Sequence, residues 1–177
     1  MEKFLTIVKE MKVVIFDMYG VINFGSGVSP TVLQALKTLR EDGKIVIILS
    51  NASFGSADAV SKYAKKGMFK GVHYDDVVTS GQFGYEAIQR GDVPVPGTTM
   101  YVFGTANFKR PEDKLPDLFK DSVYSVTEDM EKADFAYCGV PQIHGEDRMD
   151  IDDFIPKLEK IRKRNLEMVC ANPDLRA

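Results

Sequence analysis

Two apolar runs, "VVIF" from Val13 and "IVIIL" from Ile45, are separated by the punctuation of a single helix, and that alternation constrains the fold more than any other feature of the chain. Each run is short and rich in β-branched residues, the pattern of a strand covered on both faces as in a parallel sheet. Between them Ser29 is placed to cap a helix and Pro30 suits its first position. Val32, Leu33, Leu36 and Leu39 form an apolar stripe, and Gly43 ends it. A second helix, capped by Ser56, with Val60, Tyr63 and Ala64 on one face and Gly67 as its stop, leads to a short third strand near Val77 and Val78. Strands alternating with helices imply right-handed crossovers and a parallel, three-layer α/β sheet whose ligands bind at the carboxyl ends of the strands.

Asp17 and Ser50 stand at two such ends, so the periodicity places a carboxylate and a hydroxyl on one rim of the sheet. A carboxylate on a strand end beside a glycine turn, here Gly20, can attack phosphorus and form an aspartyl phosphate, splitting one hard displacement into two easier ones. The meeting of two anions is relieved by magnesium, by a hydroxyl and backbone amides on the phosphoryl oxygens, and by a lysine. Ser50 is a candidate for the hydroxyl, the Tyr19–Gly20 turn for the amides, and the Tyr19 carbonyl for a metal ligand beside Asp17. The plainer alternative is that Asp17 begins a turn and Ser50 ends a strand, since both residue types are common in turns.

Past "TSGQFGYEAIQRG" the texture changes at the proline-rich joint "DVPVPG", Asp92 to Gly97, which cannot sit inside regular structure and suggests a domain boundary nearby. Beyond it "TTMYVFG", "SVYSV", "DFAYCGV" and "LEMVCAN" have strand patterns. "DDFIPKLEKIRKRN" has a helix pattern, capped by Asp152 or Asp153, with Phe154, Ile155, Leu158 and Ile161 facing a core. The acids Glu146, Asp147, Asp150, Asp152 and Asp153 lack calcium-loop spacing, and His73 and His144 are isolated.

The 177 residues suffice for a sizeable core, and 44% hydrophobic with 28% charged residues is a globular composition. A net charge of -3, from 23 basic and 26 acidic residues, offers no attractive field to a polyanion, so nucleic acid is not an expected partner. Cys138 and Cys170 have no metal-ligand spacing and are too few for a disulfide scaffold. "MEKFLTIVKEMK" is too short and too charged for a signal peptide, and no run is long enough to span a membrane. A cytoplasmic protein without a membrane partner is expected.

"FDMYGVI" followed by "IILSNAS" resembles the first two motifs of the haloacid dehalogenase-like (HAD) superfamily: Asp-x-Asp-Gly, then an apolar strand ending in Thr or Ser. "VVTSGQFG", "MYVFG", "DFAYCGV" and "CANPD" resemble, in order, the landmarks of its class IIA branch, which carries an α/β cap between the second and third motifs. The resemblance implies a Rossmann-like core over 1–84 and a cap over 85–177. It also implies Asp17 as nucleophile and magnesium ligand, and Ser50 and Asn51 as phosphate binders, beside the phosphate-binding amide expected of Gly20 from the turn. Members of this branch are mostly magnesium-dependent phosphatases of small phosphate esters, so a small phosphorylated metabolite is the implied substrate.

Two departures from the family pattern qualify that expectation. Tyr19 stands where phosphatases of this family have the aspartate that protonates the leaving group and then activates water. A phenol can donate a proton but is a poor base near neutrality, so a phosphatase built this way should be slow. The true 2-haloacid dehalogenases carry a similar Asp-x-Tyr-Gly, but they place a cap between the first two motifs, where this chain has room for one loop and one helix. The second departure is that the family's later lysine and Gly-Asp-x-x-x-x-Asp segments do not occur before Ala177. Lys62 and Lys65 are expected to be solvated helix residues, not substitutes. The expectation is therefore the amino-terminal part of a HAD hydrolase, with the returning half of its core absent and no phosphatase turnover alone. Alternatives are an inert phosphate-binding module and, less favoured, a 2-haloacid dehalogenase. An incomplete sheet would expose an apolar edge, so self-association or a covering partner is also expected.

Overall fold

Strand β1 (Val13–Asp17) leads into helix α1 (Pro30–Glu41), strand β2 (Ile45–Ser50), helix α2 (Ser56–Ala64) and strand β3 (Asp76–Thr79), in the order expected from the periodicity. The structure is a computed structural model that describes residues 6–25, 27–106, 114–140, 142–143, 146–147 and 150–172. Two compact units divide the chain, Met1–Ser80 and Gly81–Ala177.

In the first unit the three strands are parallel and ordered β1-β2-β3. The Ser29 hydroxyl accepts from the Val32 amide at 3.3 Å and Pro30 opens α1, while Gly43 leaves the helix at a φ of +76°. Helix α2 differs from the expected cap. Gly55 takes the N-cap position without a side-chain bond, and Ser56 is the first helical residue. Leu36 and Leu39 of α1 and Ala59 and Tyr63 of α2 pack against Val14, Val46, Ile48 and Val77 of the sheet.

The expectation that β1 and β2 would be covered on both faces does not hold among the described residues. The register pairs Val13 with Ile45, Asp17 with Leu49, and Leu49 with Val78, and the apolar residues of that row are exposed, as is Ile15, at 61%. The cause is topological. Both crossovers step in one direction across the sheet, and right-handed crossovers in one direction place both helices on one face. The strands read as apolar throughout, yet these residues provide the parallel sheet and one helical layer of the core.

In the second unit β4 (Thr99–Phe103), β5 (Ser125–Val126), β6 (Phe135–Cys138) and β9 (Met168–Cys170) form a parallel sheet ordered β5-β4-β6-β9. Residues Gln142–Ile143 (β7) and Glu146–Asp147 (β8) make a short antiparallel ribbon. Helix α3 (Ser80–Arg90), which the sequence pattern did not announce, contributes Ile88 and Tyr85 to the core of one sheet face. Phe119 is the hub of that face: the rings of Tyr85, Tyr124 and Tyr137 meet it edge-on at 5.0, 5.3 and 5.3 Å. Helix α4 (Ile155–Lys163) supplies Ile161 to the other face, with Met130 and Ala136.

Three expectations shift here. The segment "SVYSV" is a strand only at Ser125–Val126. Asp150, not Asp152 or Asp153, provides the cap, accepting from the Asp152 amide at 3.0 Å to start a 3-10 turn that precedes α4. Because α4 begins only at Ile155, Phe154 and Ile161 are buried and Leu158 is partly so, while Ile155 turns outward.

The proline-rich joint lies inside the second unit, between α3 and β4, and the division falls ahead of it. The Asp134 carboxylate clamps its exit by accepting from the amides of Thr98 and Thr99 at 2.9 and 2.8 Å. His144 lies outside the described residues, and no helix among them is long and apolar enough to cross a membrane.

Candidate active site

The carboxyl rim of the first unit's sheet gathers Asp17 at the end of β1, Ser50 at the end of β2, and Thr79 at the end of β3. Asp17 pairs with Leu49 and Ser50 pairs with Thr79, so Asp17 and Ser50 stand one register step apart at the ends of neighbouring strands. Asp17 is exposed, whereas Ser50 is 2% exposed and its hydroxyl accepts from the Ala52 amide at 3.3 Å. A carboxylate open to solvent on the same rim as a hydroxyl is an arrangement that can attack and hold a phosphoryl group. Asn51 follows at the same rim, half-buried.

The turn after β1 is organised by Gly20 together with Met18 and Asn23, which the sequence did not single out. Met18 is fully buried, and its carbonyl accepts from the amides of Ile22 and Asn23 at 3.1 and 2.8 Å. Gly20 adopts a φ of +81°, a conformation that a side chain would strain. Its amide donates to the Asn23 carbonyl at 2.9 Å, so it is engaged within the loop and does not offer the free donor expected of it. Gly20 instead shapes the turn. The buried Asn23 completes it, with its Oδ1 accepting from Gly25 at 3.2 Å. An asparagine inside the apolar stretch "GVINFG" was the available signal.

Tyr19 is exposed, and the Lys66 ammonium lies 5.7 Å from its ring centroid, within cation-π range. Lys62 departs from its expected solvated role, since its Nζ sits 3.1 Å from the Phe54 ring centroid. Beneath the rim lies Tyr63, almost fully buried. Its hydroxyl has no hydrogen-bond partner of good geometry among the described residues. Burial pushes its pKa up to about 12, the nearby Ser50 hydroxyl draws it down, and Tyr19 and Asp17 are both near enough to raise it. One buried phenol thus senses three of the candidate residues. Thr79 donates to the Phe54 carbonyl at 2.7 Å and Ser80 to the Ala52 carbonyl at 3.1 Å, which fixes the loop after β2 against the end of β3.

A family model described as haloacid dehalogenase-like hydrolase matches residues 14–115, more than half of the chain. The protein belongs to that family.

Solved structures agree with the HAD fold. A haloacid dehalogenase-like hydrolase from Brucella suis 1330 is similar at a TM-score of 0.77 and 23% identity, over 96% of this chain and 57% of its own. NagD from E. coli K-12 is similar at 0.58 and 20%, over 92% and 57%. A p-nitrophenyl phosphatase from Archaeoglobus fulgidus is similar at 0.59 and 20%, over 92% and 55%. This HAD chain therefore spans a little over half the length of these structures. No curated protein matches the sequence.

Magnesium, which the HAD family implies, prefers about six oxygen ligands. Asp17 could offer a carboxylate and Tyr19 a backbone carbonyl, but among the described residues no three carboxylate, imidazole or thiol groups converge as a metal site. The donor set within the described residues is partial.

Proposed function

We propose that this chain carries the nucleophile and phosphate-recognition half of a HAD phosphohydrolase acting on small phosphate esters. The observation that carries the reading is that the exposed Asp17 and the buried Ser50 end neighbouring strands, one register step apart, at the carboxyl rim of a parallel sheet. An Asp17 carboxylate oxygen attacks phosphorus, the bond from phosphorus to the ester oxygen breaks, and the departing alkoxide takes a proton. The Tyr19 phenol, two residues on, is the group proposed to donate it. Ser50 and Asn51 hold phosphoryl oxygens, and Gly20 keeps the backbone of the turn close. Magnesium, bound through Asp17 and the Tyr19 carbonyl, would offset the charge between carboxylate and phosphate.

The second half-reaction needs a base for water, and the position that supplies an aspartate in such phosphatases holds Tyr19. The proposal is therefore recognition without turnover by this chain alone. In its support, the apolar face with Val13, Ile15, Ile45, Leu49 and Val78 is left exposed beside the free edge of β1. We propose that self-association or a second polypeptide covers it. The setting proposed is the cytoplasm, where both free cysteines would stay reduced.

The test is titration with orthovanadate, a phosphoryl mimic, in magnesium buffer, alongside an assay with p-nitrophenyl phosphate. Saturable binding that weakens in Ser50→Ala and Asp17→Asn, with phosphate release no higher than for Asp17→Asn, is the expected result. Absence of binding would overturn the site. Magnesium-dependent release abolished by Asp17→Asn would overturn the claim of no turnover.

A further inference from the structure

The two cysteines, far apart in sequence, meet in the second unit. Strands β6 and β9 run parallel with Cys138 directly opposite Cys170 in register. In-register residues of a parallel pair point to the same face, and a strand spacing of about 4.8 Å lies within the span of roughly 4.4–6.8 Å that disulfide-bonded Cα atoms adopt. Both thiols are free. Cys138 is half-buried beside its other in-register neighbour Phe103, whereas Cys170 is exposed on the edge strand. The Cys170 thiol donates to the Asn172 carbonyl at 3.0 Å, a contact that a bond to Cys138 would give up.

We propose that Cys138 and Cys170 are a redox-sensitive pair that forms an intrachain disulfide when challenged by a low-molecular-weight disulfide such as oxidised glutathione. The bond would fasten the edge strand β9 to the sheet. The order of events follows from access. Burial, with Cys170 close by, pushes the Cys138 thiol up to about 12, so the exposed Cys170 reacts first. The Cys170 thiol loses its proton to solvent and attacks oxidised glutathione, forming a mixed disulfide and expelling one glutathione thiolate, which takes up a proton. Cys138 then gives up its proton and attacks the Cys170 sulfur, releasing the second glutathione in the same way. Two protein thiols are oxidised by two electrons, and one glutathione disulfide is reduced to two thiols.

The purified full chain, fully reduced, is incubated with oxidised glutathione under native conditions and followed by intact mass and peptide mapping. The expected product has lost two hydrogens, carries no glutathione, and yields a peptide pair linked through Cys138 and Cys170. Amides of Met168–Cys170 should exchange more slowly in it. Cys138→Ser should instead retain glutathione on Cys170, and the native chain should close faster than the chain in urea. A persistent glutathione adduct on the native chain, a disulfide between two chains, two unreacted thiols, or equal rates in urea would each overturn the proposal. None of these outcomes depends on phosphatase activity.

Discussion

The guanidinium of Arg40 holds the carboxylate of Asp75 through two nitrogens, Nε at 3.1 Å and Nη2 at 2.7 Å. The other oxygen of Asp75 accepts from the Val46 amide at 2.8 Å, and Arg40 also donates to the Gly71 carbonyl. The last turn of α1, the start of β2 and the approach to β3 are thereby joined at the end of the sheet away from the candidate site. The Arg40 hydrogen bonds hold the Asp75 carboxyl below its ordinary pKa, with the Val46 amide adding to the effect against burial. A depressed carboxylate contributes stability above its unfolded pKa, near 3.9, that is lost as pH falls through the folded value. Asp75→Asn should cost about 1–2 kcal/mol at pH 7 and flatten the acid limb of the stability curve, as measured by urea unfolding across pH.

His73 should act at higher pH. Its ring is buried and accepts from the Phe69 amide through Nδ1 at 2.9 Å, and burial lowers its pKa. Protonation is then easier in the unfolded chain, so the contribution is full above about pH 6.5 and declines as pH falls below it. Unfolding midpoints should drop over that window in the native chain and stay flat in His73→Gln.

Tyr63 and Tyr74 offer a paired comparison. Their rings meet edge-on at 6.2 Å, both are buried, and neither hydroxyl has a partner of good geometry among the described residues. Removing a buried hydroxyl that makes no well-formed hydrogen bond is close to neutral, so both Tyr→Phe changes should alter stability by less than about 1 kcal/mol. Only Tyr63→Phe should weaken orthovanadate binding, because only Tyr63 adjoins Ser50. Equal binding by the two variants would remove Tyr63 from the site.

Gly97 leaves room for the Asp134 clamp. A Cβ there would stand 2.3 Å from Asp134 Oδ2, and the crowding atoms belong to the side chain that binds the amides of Thr98 and Thr99. Gly97→Ala should destabilise the second unit by about 1–3 kcal/mol in urea unfolding. In an Asp134→Ala background the added cost should shrink.

The uncovered sheet face can be tested by charge. If it is buried in an assembly, Ile15→Glu should dissociate that assembly in sedimentation while circular dichroism stays unchanged. A native chain that sediments as a monomer in isolation would sink the self-association arm.

The parallel first unit was legible because Pro30, Gly43 and two β-branched runs act locally, and local signals survive in sequence. The helix face that each strand buries was not, because "VVIF" and "IVIIL" are apolar at every position, and the one-sided covering follows from the direction of the crossovers. Asp17 and Ser50 were found as strand-end polar residues. Gly20 was recognised as a turn residue, yet its amide partner, the Asn23 carbonyl, is set by a loop whose shape no pattern encodes. Lys66 and Tyr63 were missed as neighbours of Tyr19 and Ser50 for a similar reason: the packing of helix α2 and the residues after it against the sheet is a tertiary event. Helix α3 was obscured by its two glycines, Gly81 and Gly84, which lower helix propensity without preventing a packed helix.

Among the described residues strand β1 is the outermost of its sheet, bonded to β2 alone, and Asp17 is its last residue. An outer strand frays more readily than an inner one, and its amides exchange accordingly. The sharpness with which the carboxylate is aimed is thus a property of the edge. Anything that pairs along Val13–Asp17 would stiffen the strand that carries this carboxylate without touching the side chain.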